Sequence, residues 1–285
     1  MSKLMRVVAA MMALAALGAT DRLSQAHAGL NQLQQWYNTN TGLGENGAGW
    51  WPSVNGLIML ADLALHDSSF QDTASSVFSN TFSKAKYLGT GYTSREAPFV
   101  GEYYDDEAWW ALAWMRAFQV TKNNDYLDVA KNVWLDMVYN GATTPSGGTW
   151  RSKEKTAVNS IANELLFAVS AHLAVFFPDD RYYTPWANYI WQWLEVSGTI
   201  DGDNLIVGGL NLDMCKKGYL QSNNGAIFTY TQGVILDALI QLSTVNTDAS
   251  LIARAKTLAD AALQHFGLNI LGEPQCDPSY TGDAV

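Results

Sequence analysis

The chain has 285 residues, enough for one large domain or two small ones with a sizeable core. It carries 17 Lys+Arg against 27 Asp+Glu, a formal net charge of -10, and no basic run. That excludes nucleic acid and anionic membranes as partners, because their phosphates need cationic contacts. With 11 Trp, 13 Tyr and 10 Phe, the composition suits a neutral polar ligand with apolar faces, such as a sugar ring, although any single aromatic is more often core.

Lys3 and Arg6 precede an apolar run over 7–17 that is too short to span a bilayer, and small residues follow. This reads as a secretory signal peptide over 1–19, cleaved after Ala19, with a single domain over 20–285. No later stretch predicts a membrane span. In a secreted chain the two cysteines, Cys215 and Cys276, predict one disulfide, worth about 4 kcal/mol in the chain-entropy model.

Apolar spacing predicts helices over 20–37, 52–65, 70–84, 104–119, 126–139, 158–176, 183–196, 226–244 and 250–266. Strand-like alternation is nearly absent, so the expected class is all-α. A large apolar residue followed four residues later by Ala opens the second helix of each pair: Phe70 and Ala74, Tyr126 and Ala130, Tyr183 and Ala187, Leu251 and Ala255. The units are helical hairpins. Short breaks lie within them at 66–69, 121–125, 178–182 and 245–249, and longer Gly-rich loops lie between them. Stacked hairpins make an open solenoid or a closed toroid, with the more apolar helices inside and the long loops all at one end. Trp50, Trp51, Trp150, Asn163, Glu164, Tyr230 and Gln232 then converge with Asp105 and Asp106 on one mouth.

The central stretch is 102–114, where Asp105 and Asp106 stand between Tyr103, Tyr104 and Trp109, Trp110 at the head of an apolar helix. Acidic residues in a first helical turn often serve only the dipole, and Glu107 is read in that way. Burying two carboxylates among indoles costs several kcal/mol, roughly, and is tolerated mainly where the carboxylates are needed. Two close carboxylates cannot both ionise readily, so one stays protonated, which is the pair a glycosidase requires. Adjacent residues favour the separation of about 5 Å that goes with retention of configuration. No metal is expected. A magnesium motif Asp-Asp-x-x-Asp would need an acid where Trp109 stands, the four histidines are scattered, and no Asp/Asn ladder supports calcium. No cofactor-binding motif is present. Trp110 and Trp114, four residues apart, are assigned to core.

The stretch 103–114 resembles the signature of glycoside hydrolase family 76, the α-1,6-mannanases, and 33–38, 49–55, 159–165 and 229–236 agree with that family in order. The resemblance implies an (α/α)6 toroid and a retaining, endo-acting α-1,6-mannosidase, with Asp105 as nucleophile and Asp106 as acid/base. It implies α-1,6-mannan or a mannose-containing cell-wall glycan as partner, and a secreted monomer without cofactor. Trp50, Trp51, Asn55, Tyr103, Tyr104, Trp109, Trp150 and Tyr230 are candidates for contact with mannose rings, and Asn163 and Gln232 for hydroxyl contacts. The alternatives are a cell-wall transglycosylase, which fungal members of the family exemplify, or a non-catalytic mannan-binding relative. Two departures fall at the expected mouth: Thr231 stands where the family usually has Asn, and Gly147-Gly148-Thr149-Trp150-Arg151 stands against a fuller Gly-Gly-Gly-x-Trp-Trp. Six hairpins of about 55 residues need roughly 330, so the expected ring lacks its last hairpin.

Overall fold

The computed structural model describes residues 23–44, 49–89 and 97–267. The leader and Cys276 lie outside them. Residues 23–35 form the described part of α1. The inner helices are α2 (Ser53–His66), α4 (Tyr104–Thr121), α6 (Ser160–Phe176) and α9 (Thr229–Asn246). Each pairs with the next long helix along the chain: α3 (Gln71–Ala85), α5 (Asn124–Asp136), α7 (Tyr183–Ser197) and α10 (Ala249–Phe266). Along the inner row α2 packs on α4, α4 on α6 and α6 on α9, while the partner helices face outward. Among the described residues this is a curved row of four hairpins in the α/α toroid arrangement, in which α2 and α9 are the two ends.

The repeat follows from burial. Phe70, Tyr126, Tyr183 and Leu251 and the alanines four residues after them are all buried, each pair seating an outer helix on its inner neighbour. Alanine at the close-approach position lets two helices pack without a gap. The inner helix α6 is apolar on nearly every face, as a helix enclosed on all sides must be. Around α4 the assignment of Trp110 and Trp114 to core is correct. The two rings stack 6.0 Å apart, Phe99 sits 4.7 Å from Trp110, and Tyr126 of α5 sits 4.8 Å from Trp114. Neither indole Nε1 finds a hydrogen-bond partner, so these rings are held by shape and apolar contact alone.

Away from the helix N-termini, a line of charge crosses the inner row. Asp62 of α2 pairs with Arg116 of α4 at 3.5 Å, and His172 of α6 contacts Asp237 of α9 at 2.6 Å. Burial would raise the Asp237 carboxyl, but the His172 contact and the field of Arg116 hold it below its usual value. One ionisable side chain from each inner helix thus takes part in one of these two pairs.

The structure departs from the expected elements in three places. The stretch after α1 forms a small antiparallel ribbon, β1 (Tyr37–Asn38) with β2 (Leu43–Gly44), rather than pure loop. The helix expected over 126–139 ends as α-helix at Asp136 and continues through one π turn, Met137–Gly141. The connection over 197–224 carries a one-turn helix, α8 (Leu212–Cys215). Cys215 is a fully buried thiol with Sγ 2.8 Å from Ser146 Oγ, and Cys276, its partner in the expected bridge, lies outside the described residues. Its sulfur is closed in behind the 144–148 loop.

Candidate active site

All four inner helices point their N-termini to the same side, and there they enclose a cleft of about 850 Å³. Trp51, in the turn before α2, and Asn55 of α2 enter it on one side, Asp105, Asp106 and Trp109 from α4, Ile161 from α6, and Tyr230 with the preceding Phe228 from α9. Two long loops complete the wall: 151–159 contributes Arg151 and Asn159, and 208–223 contributes Asn211 and Asn223. The first-turn aspartates therefore sit where helix dipoles and unsatisfied amide groups favour negative charge.

The loops are held by backbone pairing, not by periodic sequence. Ser160 N donates to Gly208 O at 3.0 Å and Leu210 N donates to Val158 O at 2.9 Å, so the second loop is laced to the entrance of α6. The approach demands glycine at 209, where φ is +155° and an added Cβ would lie 2.3 Å from Val158 O. On the other side Tyr104 N donates to Arg151 O at 2.9 Å and Arg151 N donates to Ala157 O at 2.8 Å, fixing the first loop to the start of α4.

Asp105 and Asp106 are only 5% and 8% exposed. Their environments differ. Asp105 accepts at both oxygens: Asn159 Nδ2 donates to Oδ2 at 3.2 Å, and the Asp106 amide donates to Oδ1 at 3.2 Å. Donors aimed at both oxygens favour the carboxylate form. Burial pushes the Asp105 carboxyl up, while Asn159 and then Arg151 act against burial. Burial also pushes Asp106 up, to about 7, with the negative charge of Asp105 adding to it and Arg151 opposing. One aspartate is thus equipped to be the anion and its neighbour to hold a proton near neutrality.

Glu107 turns away from the cleft. It is fully buried, accepts from Gly101 N at 3.1 Å and pairs with Lys153 Nζ at 3.2 Å; Lys153 also bonds Asp136. Burial pushes its carboxyl up to about 8 against the pull of Lys153. Its role is to clamp the 151–159 loop to α4 and α5, which is more than the dipole function read from the sequence. The three consecutive acids therefore do not converge on a common centre.

Of the residues expected at the mouth, the cleft holds Trp51, Asn55, Asp105, Asp106, Trp109 and Tyr230. The others are framework. Trp50 is buried against Trp110 and donates from Nε1 to Ala85 O, and Tyr104 is 1% exposed beneath Lys153. Trp150 is buried and bonds Thr143 Oγ1. Tyr103 is half-buried and carries the Arg151 guanidinium over its ring. Asn163 is fully buried, accepts from Thr149 N and donates to Thr149 O and Asn159 O, holding the glycine-rich loop to α6. Gln232 grips Ile206 through both its N and its O. Glu164 is fully buried in α6, not at the mouth; neither carboxylate oxygen has a partner, and burial pushes its carboxyl well up. The sequence reading missed Asn159, Asn211, Asn223 and Phe228. The pattern Asn159-Ser160 before a long apolar run marks a helix cap, and that signal alone could have placed Asn159 beside the site.

Comparison with known proteins agrees with this geometry. The sequence model of glycosyl hydrolase family 76 matches residues 21–285. The chain is 25% identical over 253 residues to a mannan endo-1,6-alpha-mannosidase of Candida albicans, covering 80% of this chain and 53% of that protein. The chain thus spans about half the length of the curated relatives it matches. Among solved structures, Dfg5 from Chaetomium thermophilum in complex with glucosamine superposes with TM-score 0.68 at 20% identity, covering 86% of this chain and 64% of that one. An inactive variant of an alpha-1,6-mannanase of Salegentibacter sp., with two consecutive aspartates replaced by alanine and alpha-1,6-mannotetrose bound, gives TM-score 0.69 at 19% identity, covering 88% of this chain and 71% of that one. Matching over nearly its whole length, with paired aspartates in an α/α toroid cleft, the chain belongs to glycosyl hydrolase family 76.

Proposed function

We propose that this protein is a secreted, retaining, endo-acting α-1,6-mannosidase that cleaves α-1,6-linked mannan with Asp105 and Asp106. The observation that carries this reading is the asymmetry of the pair: both oxygens of Asp105 accept hydrogen bonds, while Asp106 is pushed up to about 7. In the first step Asp105 attacks the anomeric carbon. The bond from that carbon to the glycosidic oxygen breaks as Asp106 gives its proton to the departing sugar. Asp106, now a carboxylate, takes a proton from water, whose oxygen displaces Asp105 and restores both groups. Asn159 keeps Asp105 aimed during both displacements. Trp51, Trp109 and Tyr230 offer ring faces to the apolar sides of mannose, and Asn55, Asn211 and Asn223 offer amides to its hydroxyls.

Mannan as substrate draws on the named activities of the relatives and on the neutral, aromatic cleft wall. Secretion draws on the basic, apolar and small-residue pattern of the leader. The test is incubation with unbranched α-1,6-mannan followed by product sizing, beside Asp105→Asn and Asp106→Asn. Internal cleavage to oligosaccharides, abolished in Asp105→Asn, is the expected result. Products longer than the substrate would instead identify a transglycosylase, and no new products from folded protein would overturn the reading.

A further inference from the structure

The described residues that line the cleft include one cation, Arg151. Neutral mannan gives it no charge to meet. It occupies the last position of the stretch that departs from Gly-Gly-Gly-x-Trp-Trp, so an indole is replaced by a guanidinium beside the reacting pair. Its backbone is pinned at both sides, to Tyr104 N and to Ala157 O, and its guanidinium lies 5.2 Å from the centre of the Tyr103 ring. Its Nε is buried without a hydrogen-bond partner. Arg151 makes no contact ion pair with either aspartate among the described residues, so the carboxylate oxygens stay open to a sugar.

We propose that Arg151 is a positioning residue of the dyad: held on Tyr103 in the wall of the cleft that Asp105 and Asp106 share, its positive charge favours the anionic form of the Asp105 nucleophile through space. The proposal rests on the two-aspartate reading above. Among the described residues the charged groups facing the pair are few. Asp105, Asp106 and Glu107 come from α4, Glu102 from the turn before it, and Arg151 and Lys153 from the loop. Lys153 is committed to Glu107 and Asp136. The walls from α2, α6, α9 and the 208–223 loop present no charged side chain to the cleft. Glu102 and the two aspartates repel one another, and Arg151 is left as the counter-charge to them. An uncompensated opposite charge in a poorly solvated site favours the ionised form of a carboxyl.

The experiment is a carboxyl-carbon NMR titration of ligand-free, aspartate-labelled protein, with the Asp105 resonance assigned by its loss in Asp105→Asn. The pH dependence of kcat/KM on α-1,6-mannan is measured alongside. In Arg151→Gln the Asp105 titration moves up by about one pH unit and the acid limb of kcat/KM follows. The activity loss is about tenfold at the acid end and shrinks as pH rises. Arg151→Lys, which keeps the charge but loses the planar stack, stays close to wild type in both readouts. A role confined to packing on Tyr103 predicts equal loss in both variants and no movement of the titration, and either finding overturns the proposal. Arg151→Trp, the residue of the family pattern, replaces Arg151→Gln if the latter does not fold. Because the titration needs no turnover, an inactive wild-type protein would sink the mannosidase reading while still testing the role of Arg151.

Discussion

At the residue scale the site depends on two chemically identical neighbours being made different. Helix geometry sets successive side chains about 100° apart, so Asp105 meets Asn159 while Asp106 does not. That difference has a pH signature. In the proposed double displacement, glycosyl transfer to Asp105 needs Asp106 protonated, and burial pushes the Asp106 carboxyl up to about 7. kcat/KM should therefore fall as pH rises through about 7, and this limb should vanish in Asp106→Asn, measured with an aryl mannoside whose leaving group needs no proton. On mannan itself Asp106→Asn should lose about 10²–10⁴ in rate. The aspartate pair was legible in the sequence because paired acids inside an aromatic run have few structural uses. The neighbouring aromatics were legible only as aromatics. Trp50 and Trp51 read alike, yet one is buried against Trp110 and the other walls the cleft. Asn163 and Gln232 looked like sugar contacts, but their amides are spent on loop backbone. Which polar group faces a ligand and which satisfies a buried main chain is decided by tertiary contact, and no local pattern carries it.

At the element scale the helices were legible to within a few residues and the loops were not. Apolar periodicity and the recurring alanine gave the hairpins because outer helices must seat on inner ones at fixed spacing. The 151–159 and 208–223 loops form half of the cleft wall through backbone hydrogen bonds, which leave no periodic trace. One side chain anchoring the first loop can be tested directly. Lys153 joins that loop to Glu107 of α4 and Asp136 of α5. Lys153→Met removes the cation beside the buried Glu107 carboxyl and should lower stability in urea denaturation, by up to about 3–5 kcal/mol where Glu107 is ionised. Burial already raises the Glu107 carboxyl above its unfolded value. A raised acid contributes stability while protonated and loses it as pH rises, so the deficit in Lys153→Met should be larger at pH 8 than at pH 5, conditions chosen on either side of roughly neutral. Adding Glu107→Gln should recover much of the loss. A deficit independent of pH, or no recovery in the double variant, would show that Lys153 acts by packing instead.

At the scale of the whole molecule, four inner helices bring their N-termini to one side, and further along two ion pairs, Asp62 with Arg116 and His172 with Asp237, join α2 to α4 and α6 to α9. The cleft is a product of that parallel arrangement, since no single hairpin contributes more than a wall. A further groove of about 560 Å³ runs from Asn55 and Trp109 along α2 past Met59 to His66, opening the row at the α2 end. The toroid class followed from the hairpin repeat and the family signature. The described residues hold four hairpins of that class. The central claim is that two adjacent aspartates, made unequal by their surroundings, carry out a double displacement. Proton NMR of unbranched α-1,6-mannan during its first turnovers tests this most directly, because the anomeric signal records which face water attacked. The account predicts that α-anomer reducing ends appear first and the β-anomer later by mutarotation, with neither formed by Asp105→Asn. Initial release of the β-anomer would mean direct displacement by water, and would contradict a nucleophilic Asp105.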